Sequence, residues 1–314
     1  MSVSLVGDLG GTNIRLALVQ EGRLGTPWRA RCGDYATAEA AVNAFLTSEA
    51  DGVRPERTVL AVAGPVDGGA VVFLKTGWTM SEGSLAAAGF GRVRLLNDFA
   101  AMALATVILG PEDVEPIGGV SPDLLATRVA LGPGTGFGLG AVVPAAHGWT
   151  PVAGEGGHAS FAPTDEVERE IVRVLSPVHG RVSIERLLSG SGLTVLHAAL
   201  AEVDGRTSPP LDPVAITAAA LNGDAAAAAT VTRVWAIFAS VCGDQALIFG
   251  ARGGVFVGGG VADKLAPLLD LQAFRARFEA KGRRRPYLET VATARILDPY
   301  AALHGAARLL DDPW

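Results

Sequence analysis

Short apolar runs alternate along this chain with longer segments of helical period. Residues 3–6 and 15–19 read as strands joined by the glycine-rich GDLGGTN. Residues 58–63 and 70–74 read as a hairpin around GPVDGG. A strand at 93–96 runs through Asn97 and Asp98 into an apolar helix at 99–109. A second round begins with a strand at 128–131, the turn GPGTGFGLG and a strand at 141–143. Helical patterns then cover 166–175, 184–188, 193–203 and 225–249. Asp212-Pro213 opens another helix as N-cap and first-turn proline, and Gly250 reads as a C-cap. A buried strand at 255–257, a helix from 261 to 269 and a last helix at 299–310 complete the pattern. Such alternation predicts an α/β protein. The segment 110–122, rich in Pro, Gly and acid, predicts a domain boundary. Residues 4–19 and 128–143 share one plan of strand, glycine turn with Thr, and strand, which suggests two related domains.

The length of 314 residues suits two domains. A formal charge of −6, from 26 basic and 32 acidic residues, gives no general field for nucleic acid. The basic cluster Arg283 to Arg285 precedes Pro286 and reads as a solvated surface turn. Cys32 and Cys242 lie too far apart for a disulfide framework or a zinc knuckle, which fits a reducing cytoplasm. The first residues lack a basic leader, and no uninterrupted apolar run of 18 residues occurs, so neither a signal peptide nor a membrane span is expected. Glycine is in excess at 40 residues, and 18 of them fall in five short stretches: 7–11, 132–140, 154–157, 190–192 and 253–260. The excess therefore belongs to particular loops, where it serves tight turns or close approach of backbone to a ligand.

Those loops carry the candidate chemistry. In Gly7-Asp8-Leu9-Gly10-Gly11-Thr12-Asn13, glycines expose backbone N–H groups, and Thr12 and Asn13 add side-chain donors. Such a concavity suits a phosphate. Asp8 brings a carboxylate to the same place, which calls for a bound cation to offset it. Gly134-Thr135-Gly136 lies in a second such turn. A loose GxGxxA match at 136–141 is followed by a strand pattern rather than the helix that a dinucleotide site requires. No Walker A sequence surrounds Lys75, Lys264 or Lys281. In LLNDFAA, Asp98 is either a helix N-cap or a carboxylate at the open end of a sheet, able to accept a proton from a substrate hydroxyl. Glu155 and His158 in GEGGH lack the spacing of a zinc site and suit sugar hydroxyls better. Glu185 in IERLLSGSG is an exposed helix charge or a further polar contact. Gly258, Gly259 and Gly260 in GGVFVGGG bring backbone toward a ring or phosphate, or allow close helix–strand packing.

Six segments in one order (GDLGGTN, LLNDF, LGPGTGFG, GEGGH, IERLLSGSG and GGVFVGGG) resemble the bacterial glucokinase family of the hexokinase and actin-like ATPase superfamily, over nearly the whole chain. The resemblance implies two ribonuclease-H-like domains with a cleft between them, one formed by 1–110 plus 299–314 and the other by 111–298. It implies Asp98 as general base toward the 6-hydroxyl of glucose, with Asn97, Glu155, His158 and Glu185 on the other hydroxyls. It implies MgATP among Gly7 to Thr12, Gly134 to Gly136 and Gly258 to Gly260, with Asp8 holding Mg²⁺ through water, and a homodimer. The resemblance also implies a sugar contact from an Asn three positions before Trp78, in the first domain's sugar loop; Lys75 stands there instead, a departure that bears on strict preference for glucose. A kinase for another hexose or an amino sugar is the alternative within this class. A non-catalytic sugar sensor is the alternative outside it, and the retained Asp98 argues against a sensor, which has no need of a base.

Overall fold

The computed structural model describes all residues except 1, 2, 51, 119, 208–210 and 312–314. Position 119 of the expected boundary, and the extreme ends of the expected first domain, thus lie outside the described residues. The chain opens with β1 (Val3–Leu9), β2 (Asn13–Gln20), β3 (Arg23–Leu24), β4 (Trp28–Arg31) and α1 (Ala38–Glu49). There follow β5 (Arg57–Val62), β6 (Ala70–Val72), β7 (Thr79–Ser81), α2 (Glu82–Ala87), β8 (Arg92–Asn97) and α3 (Asp98–Ala105). Next are β9 (Val114–Pro116), β10 (Arg128–Pro133), β11 (Phe137–Ala145), β12 (Gly148–Gly154), α4 (Glu166–His179), α5 (Ile184–Leu187), α6 (Gly190–Val203), α7 (Pro213–Leu221) and α8 (Ala225–Phe249). The chain closes with β13 (Val255–Val257), α9 (Gly260–Leu265), α10 (Leu271–Glu279), α11 (Arg285–Glu289), β14 (Thr293–Ile296) and α12 (Ala301–Arg308). It divides into two units: 1–113 with 140–154 and 298–314, and 114–139 with 155–297. The expected second domain runs over all of 111–298. Residues 140–154 are counted with the first unit, where β12 packs on α3.

The first unit is built on a sheet of order β3-β2-β1-β5-β8, with β4 also paired to β2. β1 and β2 are antiparallel, whereas β1, β5 and β8 are parallel. Strand period separates two faces. Leu60 and Val62 of β5 face the large-residue core with Phe45, Phe73, Trp78 and Phe90, while Ala61 faces Ala101 of α3 and Ala302 of α12. Small residues on that second face let α12 cross α3 closely. A Cβ built on Gly305 stands 1.8 Å from the carbonyl oxygen of Ala101. Gly305→Ala is therefore expected to cost about 1–3 kcal/mol by overpacking and to lower Tm by several degrees. Thermal unfolding followed by circular dichroism checks this, and an unchanged Tm contradicts the close crossing.

The expected hairpin of 58–63 with 70–74 does not form. β5 is buried along five of its six residues and takes the central parallel position, and β6 pairs instead with β7. The physical reason is that a strand whose last four residues, Val59 to Val62, are all apolar buries both faces best inside a sheet, while β6, with alternating exposure, suits a two-stranded ribbon.

In the second sheet the order is β12-β11-β10-β13-β14-β9, with β10, β13 and β14 parallel and β9 an antiparallel edge. The core of the second unit gathers Phe137, Trp235, Phe238 and Phe274, with ring centroids 5.8–6.4 Å apart. α8 supplies two of these rings; Gly250 ends it in a left-handed conformation, as expected, and Asp224 caps its start by accepting the Ala227 N–H at 2.8 Å. α8 is long and apolar enough to cross a membrane by length and composition alone, which a search for uninterrupted apolar runs misses. Most of it is buried inside this unit. Arg283, Arg284 and Arg285 are exposed, as their sequence suggested.

Candidate active site

The turn between β1 and β2 is held from behind. Gly10 N–H donates to Asn13 O at 3.0 Å, and Cys32 clamps the other side, its N–H on Thr12 O at 2.9 Å and its thiol on Gly10 O at 3.2 Å. Burial pushes the Cys32 thiol up, which keeps it a neutral donor. Among the described residues, no acceptor takes the N–H of Gly11 or Thr12. Two successive open amides at a turn make an anion-binding concavity. Two residues before Gly10, the hairpin register sets Asp8 opposite Arg15, and Arg15 Nη1 meets Asp8 Oδ2 at 2.6 Å. Burial raises the Asp8 carboxyl above its ordinary value, and the Arg15 guanidinium opposes that rise.

The parallel register brings this turn to the level of Asn97. Leu9 pairs with Val62, and Val62 with Asn97, so β1, β5 and β8 end side by side at their C-terminal edge. Ligands of open α/β sheets bind at that edge. Asn97 is nearly buried and its side chain is largely committed. Oδ1 accepts the N–H groups of Phe99 and Ala100 at 3.0 and 3.1 Å, and Nδ2 donates to Gly64 O at 3.2 Å. Asn97, rather than Asp98, is thus the N-cap of α3. That releases Asp98 from the capping role the sequence left open. Asp98 becomes the first residue of α3, its Oδ1 accepting the Phe99 N–H at 2.9 Å.

In the second unit, the turn after β10 and the loop after β13 touch. A Cβ on Gly132 would stand 1.7 Å from Gly258 O, so only glycine fits there. Gly134 O accepts the Gly190 N–H at 2.9 Å, which ties the turn to the start of α6. Glu185 is drawn to the same turn, its Oε2 accepting the Phe137 N–H at 2.8 Å. Gly134 to Gly136, Gly258 to Gly260 and Glu185 therefore form one cluster. Glu155 and His158 lie on a 3-10 turn whose Gly157 packs against Phe137, and their side chains are about half exposed, 3.8 Å apart. Arg181 Nη1 holds that turn through His158 O at 2.7 Å.

The Glucokinase family model matches residues 5–313. The chain belongs to the glucokinase family. A curated glucokinase from Caulobacter sp. (strain K31) is 45% identical over 98% of this chain and 94% of its own length. One from Sinorhizobium medicae is 40% identical over 98% of this chain and 92% of its own. Among solved structures, glucokinase from an Antarctic psychrotroph superposes with a TM-score of 0.89 at 31% identity, covering 99% of this chain and 100% of that one. A glucokinase from Balamuthia mandrillaris shares the fold at TM-score 0.80 and 19% identity, over 98% and 93% of the two chains.

Two residues of the first-unit site were not assigned from the sequence: Arg15 and Cys32. A hairpin closed by Gly10 to Thr12 pairs position 8 with position 15, so Arg15 was within reach of a register argument. Cys32 has no such signal, because its link to Gly10 depends on β4 lying beside β2.

Proposed function

We propose that this protein transfers the terminal phosphoryl group of ATP to the 6-hydroxyl of glucose, giving glucose 6-phosphate and ADP. The observation that carries the reading is the shared level of Leu9, Val62 and Asn97, which sets the open amides of Gly11 and Thr12 and the Asp98 carboxylate along one sheet edge. Family membership supports the choice of sugar and donor. Asp98 accepts the proton of the sugar hydroxyl as its oxygen attacks phosphorus. Asn97 keeps Asp98 at the helix start, through the Phe99 and Ala100 amides. Glu155, His158 and Glu185 hold the remaining sugar hydroxyls. The turns at 7–13, 134–136 and 258–260 hold the nucleotide. Phosphoryl transfer asks mainly for positioning and charge neutralisation, and closely spaced backbone amides supply both.

Magnesium, when bound, neutralises charge on the donor phosphates. Among the described residues, no group of three or more His, Cys, Asp or Glu forms a cage for an ion. A magnesium ion fits that donor set, because it keeps several waters and needs only one or two carboxylates besides the phosphates. Asp8 would hold it, its other oxygen being anchored on Arg15. The reading includes a cytoplasmic location, in keeping with two unpaired buried cysteines, and a homodimer, drawn from the family resemblance.

ADP release measured over a panel of glucose, mannose, fructose and glucosamine tests the substrate. Glucose is expected to give the highest kcat/KM. A larger value for another member of the panel overturns the choice of sugar.

A further inference from the structure

Lys75 has no part in the proton transfer, yet it is built into the phosphate turn. It stands in the segment between β6 and β7. That segment is pinned by Phe73 N–H on Trp78 O at 2.8 Å and by Gly77 N–H on Phe73 O at 2.8 Å. The rings of Phe73 and Trp78 are buried and packed edge to face, 6.0 Å apart. With both ends of the segment anchored in the core, Lys75 is left on the outside. Its alkyl chain passes Gly11, where an added Cβ would lie 3.6 Å from Cδ. Its Nζ donates to Thr12 Oγ1 at 2.7 Å.

That bond has a directional consequence. A threonine hydroxyl that accepts from an ammonium has its own O–H left to donate, and the ammonium has two further N–H groups. Lys75 and Thr12 together thus present donors beside the open amides of Gly11 and Thr12. The other charges at the turn, Asp8 and Arg15, neutralise each other at 2.6 Å. Lys75 is therefore the net positive charge of the turn, and it is a mobile-stemmed point charge of the kind that pairs with phosphate. An Asn at this position would be uncharged and too short to lie across Gly11 and reach Thr12.

We propose that Lys75 is a catalytic cation, its ammonium bound to the oxygens of the phosphoryl group in transfer. This rests on the reading of residues 7–13 as the donor's phosphate loop. In the step, the sugar oxygen forms a bond to phosphorus and the bond to the bridging oxygen breaks. The electron pair leaves on ADP, and the hydroxyl proton goes to Asp98. Lys75 keeps its protons throughout and offsets the negative charge on the equatorial oxygens.

The test compares wild type with Lys75→Met, Lys75→Arg and Lys75→Asn. It reads kcat and KM for ATP and glucose, glucose affinity by intrinsic tryptophan fluorescence, and inhibition by inorganic tripolyphosphate. Lys75→Met and Lys75→Asn are expected to lower kcat/KM for ATP by about 10²–10³-fold, the loss typical of one transition-state donor. Glucose affinity should stay within about threefold of wild type, and Lys75→Arg should recover most of the loss, because the charge is retained. Tripolyphosphate should inhibit Lys75→Met at least about tenfold more weakly, since a phosphate-binding charge is gone. Unchanged donor parameters, or a loss confined to KM for glucose, overturn the proposal. If wild type consumes no ATP with glucose, the proposed function falls. Direct tripolyphosphate binding then decides Lys75 alone, and equal affinity in wild type and Lys75→Met overturns its role.

Discussion

Asp98→Asn is expected to lower turnover of glucose at least about 100-fold while leaving glucose affinity within about threefold of wild type. The substitution is nearly isosteric. Its Oδ1 can still accept the Phe99 N–H that the carboxylate accepts at 2.9 Å, and Asn97 still caps α3. What is lost is the ability to take a proton from the attacking hydroxyl. Without that transfer the nucleophile stays a neutral alcohol through most of the bond-making, and an amide cannot relieve it. The measurement is steady-state ADP release beside glucose binding by tryptophan fluorescence. A variant that turns over at the wild-type rate removes Asp98 from the mechanism. A variant that also fails to bind glucose makes Asp98 a binding group first.

The second large effect is on stability. Glu168→Ala is expected to cost about 3–5 kcal/mol, read as a lower urea midpoint with an unchanged slope. Glu168 lies in the first turn of α4 with no exposed side-chain surface. Its carboxylate accepts from Thr164 N–H at 2.7 Å and Thr164 Oγ1 at 2.9 Å, and it is paired with Arg233 of α8 at 3.2 Å and with Arg277 of α10. Alanine leaves two guanidinium groups facing a site that no longer answers their charge. Asp165 takes part of it, through Arg233 at 2.5 Å, while its other oxygen caps α4 by accepting the Glu168 N–H at 2.9 Å. Burial alone would raise the Asp165 carboxyl, but the Glu168 N–H and the two arginines outweigh it and hold the carboxyl below its ordinary value. A carboxyl held lower in the folded state stabilises at any pH above the ordinary carboxylate value. That contribution is lost as pH falls through the folded value. Acid unfolding of the second unit should therefore begin below about pH 4, where carboxylates of ordinary pKa take up protons. An Asp165→Asn variant should lose the acid-sensitive part of the curve. An identical pH profile in that variant contradicts the assignment.

What the sequence carried, and what it did not, follows from the range of the interactions. GDLGGTN, GPGTGFGLG and GGVFVGGG could be read because glycines mark backbone geometry locally. Helix ends such as Asp212-Pro213 and Gly250 could be read because caps act within one turn. α1 was missed, although Thr37 caps it by accepting the Ala40 N–H at 3.1 Å. Its run of alanines gives a weak apolar stripe, so period alone did not announce it. The segment 58–63 reads as half of a hairpin because a neighbouring glycine turn is a local signal, whereas the pairing of β5 with β1 and β8 is not. Asn97 as the cap of α3 and Asp98 as its first residue could not be separated by sequence, since either residue type caps helices. The links from Lys75 to Thr12 and from Glu185 to Phe137 span 63 and 48 positions, and only the folded chain brings them together.

The central claim is that this chain moves a phosphoryl group from ATP to the 6-hydroxyl of glucose. Phosphorus NMR of a mixture of purified protein, MgATP and glucose tests it most directly. Glucose 6-phosphate and ADP are expected in equal amounts, with no ATP loss when glucose is left out. Phosphate appearing free in solution, on another hydroxyl, or only when glucose is absent contradicts it.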